Sequence, residues 1–195
     1  MNRACEVAVC AIAGILFSVS QATAAPGPAD QPITVTHLSI EGAESLSASQ
    51  IDEVKASVVG KPETAETLMD TARHLLTRFL TVACYIRPDI DLEAVNAQAS
   101  PDSAWMHVKV RQGTRYRLRN FRVQWAQAFS AQQIEQQLPL DAMRRGDCSG
   151  LPDVEATIAD FYRSRGFPKA KVHSLVQANK ASEQFDLTLY IDEAK

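Results

Sequence analysis

Beyond residue 25 the chain has no apolar run approaching the roughly 20 residues that a membrane-crossing helix needs, which excludes a polytopic helical membrane protein. It is also poor in chemistry. Its histidines, His37, His74, His107 and His173, fall in different segments without ligand-like spacing, and no Gly-x-Ser-x-Gly, P-loop, dinucleotide fingerprint or paired-carboxylate site occurs. These absences argue against an enzyme and give no reason to expect a metal or cofactor. An excess of cations is missing too: 20 Lys and Arg against 23 Asp and Glu leave a formal charge of −3, which argues against a nucleic-acid binder. Cysteine is scarce, with Cys84 and Cys148 the only thiols after residue 25.

What is present begins with an export signal. Arg3, an apolar run over residues 7–19 and the small residues Ala22-Thr23-Ala24-Ala25 make the three-part pattern of a secretory signal peptide over residues 1–25. A run kept uncleaved would instead tether the chain to a membrane. Residues 26–32, rich in Pro and Gly, read as a loose leader. Export implies an oxidising compartment, so Cys84 and Cys148 are candidates for a disulfide. The alternatives are a small buried residue with an exposed loop thiol, or an intermolecular link.

The remainder repeats itself. Leu46-Ser47-Ala48-Ser49-Gln50-Ile51 is answered 83 positions later by Phe129-Ser130-Ala131-Gln132-Gln133-Ile134, and in each the Ser and Gln three apart form a capping box. Thr67-Leu68-x-Asp70 matches Thr157-Ile158-x-Asp160 at a displacement of 90, and Cys84-Tyr85 to Ile90 matches Gly166-Phe167 to Val172 at 82. In the first copy a β-branched strand at 34–40 precedes a helix carrying Ile51, Val54 and Val58 and ending at Gly60. Pro62 then opens a second helix striped by Leu68, Ala72, Leu75, Leu76 and Phe79. From Ile86 the period changes from 3.6 to 2, with Ile86, Pro88, Ile90 and Leu92 on one side, and Met106, Val108 and Val110 alternate after a loop. The second copy has Phe121, Val123 and Trp125 facing one way in a strand and a loop over 139–150. A helix opened by Pro152 and closed at Gly166 follows, then strands carrying Val172, Ser174 and Val176 and Leu187, Leu189 and Ile191. The expected fold is α+β: two tandem β-α-α-β-β domains, over 33–112 and 115–193, each a three-stranded mixed sheet covered on one face by two helices.

This order, the run Tyr162-x-x-x-Gly166-Phe167-x-x-Ala170-x-Val172, and Val110-Arg111-Gln112-Gly113-x-Arg115-Tyr116-Arg117 at the junction resemble polypeptide-transport-associated (POTRA) domains. The first copy, with Tyr85-x-x-Pro88-x-Ile90, resembles the leading POTRA domain of outer-membrane translocation-and-assembly proteins, although Cys84 replaces the glycine expected at the helix end. The resemblance implies a periplasmic module that docks unfolded or extended polypeptides, or outer-membrane barrel and assembly proteins, partly by adding a partner strand to a sheet edge. Other expectations are a split or truncated piece of an outer-membrane barrel transporter, or a membrane-tethered scaffold if the leader is retained.

Sheet edges present unpaired N–H and C=O groups that an extended peptide can pair with. Pro88, unable to donate to a ladder, marks its strand as an edge. The candidate edges are Ile86, Arg87, Asp89, Ile90, Asp91 and Leu92 in the first domain and Lys171, Val172, His173, Ser174 and Val176 in the second. A separate cationic group, Arg144, Arg145, Arg163, Arg165, Lys169 and Lys171, suits peripheral contact with an anionic membrane surface, or else a solvated helix end.

Overall fold

Each half of the chain builds its own sheet, and a computed structural model describes residues 32–96 and 103–194. The first half runs β1 (Ile33–Glu41), α1 (Ala48–Val58), β2 (Pro62–Glu63), α2 (Ala65–Val82), β3 (Asp89–Asn96) and β4 (Ser103–Arg111), with sheet order β2-β1-β4-β3. The second runs β5 (Arg117–Gln124), α3 (Ala131–Glu135), α4 (Leu140–Arg144), α5 (Val154–Arg163), β6 (Lys171–Asn179) and β7 (Gln184–Asp192), with order β5-β7-β6. In both, the opening strand lies parallel to the closing one and the strand between them in sequence runs antiparallel to it, so the sheets are mixed. The leader at 1–25 and most of 26–32 lie outside the described residues. Among the described residues no helix is long and apolar enough to cross a membrane.

The repeat extends to details that composition does not advertise. Ser47 and Gln50 close a full capping box on α1, and Ser130 and Gln133 do the same on α3. The parallel pairs carry a register shift at the same point, between Val35 and His37 and between Leu118 and Asn120, 83 positions apart. One extra residue in the strand lets Val35 and Leu38 both face the core at a spacing of three, which simple alternation forbids. Helices α2 and α5 stop in the same way. Tyr85 N–H reaches back to Leu80 O and Phe167 N–H to Tyr162 O, over a residue with positive φ, Cys84 at 66° and Gly166 at 92°.

Four expectations need correction. Pro62 does not open α2; it pairs in β2 with Thr34, and the helix starts three residues later because Thr64 Oγ1 accepts from Thr67 N–H and supplies the cap. This adds a fourth, two-residue strand to the first sheet. The 139–150 segment is not simply a loop, since Leu140 and Met143 fold inward on the short helix α4. The strand expected from Ile86 begins only at Asp89, because Arg87 takes a left-handed conformation with φ 57°. Trp125, expected in the strand on the same side as Phe121 and Val123, lies beyond β5 with φ 66° and is 69% exposed.

The cores are distinct. One joins Val35, Leu38, Val54, Val58, Leu68, Ala72, Leu76 and Leu80 with Met106, Val108 and Val110. The other gathers Leu118, Ile134, Met143, Ile158, Tyr162, Phe185, Leu187, Leu189 and Ile191, and also takes in Cys84 from the first half. Tyr162 is fully buried, and its hydroxyl donates to Glu193 Oε1 at 2.9 Å. The same carboxylate accepts from Gln127 and Ala128 N–H, tying α5, the β5–α3 turn and the end of β7 together. Burial first, and then the bond to Glu193, push the ionisation of this phenol well above its ordinary value. The neutral phenol is therefore the form the fold holds, and its contribution is complete below about pH 10 and drains away above it. The Tyr162→Phe variant should be about 1 kcal/mol less stable near neutrality. That gap should narrow in thermal melts as pH rises beyond about 10, and a gap that widens would contradict the assignment.

Candidate partner-binding edges

Strand β3 is the outer strand of the first sheet. Its residues from Asp89 to Asn96 pair on one side with β4, from Arg111 to Ala104. Ile90 and Leu92 pack toward the first core, while Asp89, Asp91 and Glu93 stand opposite Arg111, Lys109 and His107 on the helix-free face. Only Asp89 is locked there, accepting from Arg111 Nε at 2.8 Å and Nη2 at 2.6 Å. Among the described residues none bonds the other side of the β3 backbone. The eight-residue rim is open among the described residues.

Strand β6 is the outer strand of the second sheet, paired along its length with β7, from Lys171 opposite Asp192 to Asn179 opposite Gln184. Val172 is buried, Ser174 and Val176 are half-buried, and Lys171, His173 and Leu175 are exposed. Ser174 N–H does not enter the ladder. It donates to Glu155 Oε1 at 2.7 Å, and Ser174 Oγ donates to the same oxygen at 2.6 Å. The peptide groups of Val172, Ser174 and Val176 therefore point away from β7, following the two-residue alternation of antiparallel pairing.

The candidates Ile86 and Arg87 do not belong to an edge. Ile86 packs against the second core, and both residues lie in the junction between the halves, where Tyr85 bridges to Arg115. This junction is closely bonded. The carbonyls that end α2, at Val82, Ala83 and Cys84, accept from Cys148 N–H at 3.1 Å, Arg115 Nε at 3.1 Å and Tyr116 N–H at 2.9 Å, all from the second half. Arg115 Nη2 also donates to Gly146 O at 2.7 Å, and Arg78 pairs with Asp153 at 3.1 Å. Cys84 and Cys148 form a disulfide, and both are fully buried. A helix end whose orphan carbonyls are capped by another sheet's loops fixes the two sheets' relative position.

The cationic group is largely answered internally. Arg144 pairs with Asp141 at 2.7 Å and Glu135 at 3.2 Å, Arg163 pairs with Asp160, and Arg165 lies 3.9 Å over the Phe161 ring. Arg145 is exposed and lines a recess of the second half with Arg115 and Arg117. Lys169 and Lys171 stand apart, at the start of β6. Among the described residues no group of His, Cys, Asp and Glu could hold a metal ion.

Two features escaped the sequence. Glu155 carries no motif that announces a contact with a strand 19 residues away. Trp125 was read only as a strand residue on the same side as Phe121 and Val123, yet it stacks on Tyr190 with centroids 4.9 Å apart and lines an open cleft of about 850 Å³ with Phe167 and Ile191. Tyr190 lies between Gln124 and His173 on the helix-free face, so aromatic surface continues from Trp125 toward β6. The first sheet has a counterpart in Trp105, 53% exposed beside His37.

No protein-family model matches the chain, and no curated protein matches it. Solved structures do. POTRA domains 3–5 of BamA from Haemophilus influenzae superpose with a TM-score of 0.60 and 18% identity, covering 87% of this chain and 70% of that one. The fold is that of tandem POTRA domains. BamA from Haemophilus ducreyi lacking POTRA domains 1–3 gives a TM-score of 0.56 at 13% identity over 83% of this chain, which spans 29% of that protein. The β-α-α-β-β order read from the sequence is thus a POTRA arrangement, enlarged here by β2 and α4.

Proposed function

We propose that this protein is a polypeptide-docking module of the periplasm, serving outer-membrane protein assembly or secretion by accepting an extended segment as an added strand. The open rim of β3 carries this reading: a full-length outer strand with no hydrogen-bond partner on its free side among the described residues. Four or five new backbone bonds at about 1 kcal/mol each are comparable with an association cost of about 4–15 kcal/mol, so affinity is low and side-chain burial decides it. At β6 a partner's side chains on the helix-free face would meet His173 and Leu175, with Tyr190 behind them. The POTRA fold supports the same reading, as do two edges held in one frame, which raise the effective concentration for a single long segment.

The test is photo-cross-linking in cells from residues introduced at positions 91 and 171, a chemistry that leaves the native disulfide alone, with position 55 on the exposed side of α1 as control. Capture of polypeptides at the edges above the level at position 55 is expected. Equal yields at all three positions would refute strand addition. Co-purification of an outer-membrane barrel with the cross-linked product would identify the protein as the companion of a separate barrel chain.

A further inference from the structure

The two POTRA edges differ at one place, and the internal repeat shows it. In the second domain Glu155, in the first turn of α5, reaches the outer side of β6 and takes Ser174 N–H and Oγ on one carboxylate oxygen. The helix displacement of 90 and the strand displacement of 82 put Ala65 and Leu92 at the corresponding positions of the first domain. A methyl group and an isobutyl group cannot make that contact. Sheet edges in general are blunted by charged side chains that occupy or repel the free backbone groups, and among the described residues only one of the two has a backbone donor occupied in this way.

We infer that Glu155 is an intramolecular gate: it holds the β6 edge shut by standing where the carbonyl of an incoming strand would accept from Ser174, leaving β3 as the edge that loads first. This rests on the strand-addition reading above. The carboxylate is a fair stand-in for the partner. It lies 2.7 Å from the Ser174 nitrogen, in the position a backbone acceptor takes in a ladder. Peptide groups at Val172 and Val176 point the same way, so the capped donor is the middle one of three, and a strand cannot pair with its neighbours without displacing Glu155. The occupant is an extended polypeptide segment, which a competing acceptor excludes and its own carbonyl replaces. A long segment anchored first on β3 would be presented to β6 at high effective concentration and could then open the gate.

Glu155→Ala removes the competing acceptor, which is exposed and touches neither core. Cross-linking from position 171 should then rise about fivefold, the factor that loss of one competing hydrogen bond gives, while capture at position 91 stays unchanged. Glu155→Gln keeps a weaker acceptor and should fall between the variant and the native protein. In the opposite direction, Ala65→Glu combined with Leu92→Ser should lower capture at position 91 relative to Leu92→Ser alone, with thermal melts confirming that both variants fold. Unchanged or reduced capture at position 171 in Glu155→Ala, alongside normal capture at 91, would overturn the gate and leave the docking reading standing. Absence of capture at both positions in every variant would overturn both.

Discussion

Refolding the chain with Cys84 and Cys148 kept reduced is expected to lower its unfolding free energy by about 4 kcal/mol. The bond joins residues 64 apart in sequence, and closing a loop of that length removes about 14 cal/mol/K of conformational entropy from the unfolded chain. For a protein of this size that is a fall of about 8–16 °C in melting temperature. Reductant must be present during refolding, since both sulfurs are fully buried in the native state. A Cys148→Ala variant should show the same low midpoint with or without reductant. Identical midpoints for the oxidised native protein and this variant would mean that the bond does not form or constrains nothing. The effect is large because the bond crosses between domains: Cys84 lies just past the C-cap of α2, and Cys148 follows α4 of the other half. Its loss should also free the junction, which small-angle scattering would register as a broader distribution of dimensions.

The same cysteine shows where the sequence was readable and where it was not. Capping boxes at Ser47 and Ser130 were legible because their signal is local, two side chains three residues apart. The helical stripes were legible for a similar reason, since Leu68, Ala72 and Leu76 repeat with the turn of the helix. Cys84 stood out as a departure from glycine, but its reason lies in the fold: the position needs a positive φ that an L-residue adopts only at a cost of about 1 kcal/mol, and the disulfide offsets it. Features that depend on a second strand were not legible. The bulges at Thr36 and Arg119 exist only relative to β4 and β7, and β2 exists only because β1 has an unpaired side for Pro62 and Glu63. Period-2 alternation holds in the structure only from Asp89, and it did not say that Ile86 would leave its own domain to pack in the next. Strands fall near both expected stretches, but the first begins at Asp89, past the proline that marked it, since a left-handed Arg87 precedes it. Glu155 was invisible because its partner is brought to it by the turn after α5.

Truncating one core residue in each domain should expose an unequal coupling between them. Leu76 and Ile158 are each fully buried, in the first and second core respectively, and replacing either by Ala should cost about 2–5 kcal/mol. The chain has two tryptophans, Trp105 on the first sheet and Trp125 at the end of β5, so Trp125→Phe and Trp105→Phe backgrounds report each domain separately by fluorescence. Cys84 and Ile86 belong to the second core, and the last carbonyls of α2 are capped by Cys148, Arg115 and Tyr116. The first core takes no residue from the second domain among the described residues. Loosening the second domain with Ile158→Ala therefore strips α2 of its cap and should lower both reporters' midpoints together. Leu76→Ala should lower the Trp105 midpoint while that of Trp125 moves by much less, because the second core keeps Cys84 through its disulfide even when the first sheet has melted. If Leu76→Ala shifted both reporters equally, the two sheets would be one cooperative unit, and a docking event at β3 would then be felt at β6 through the whole fold rather than through a shared segment.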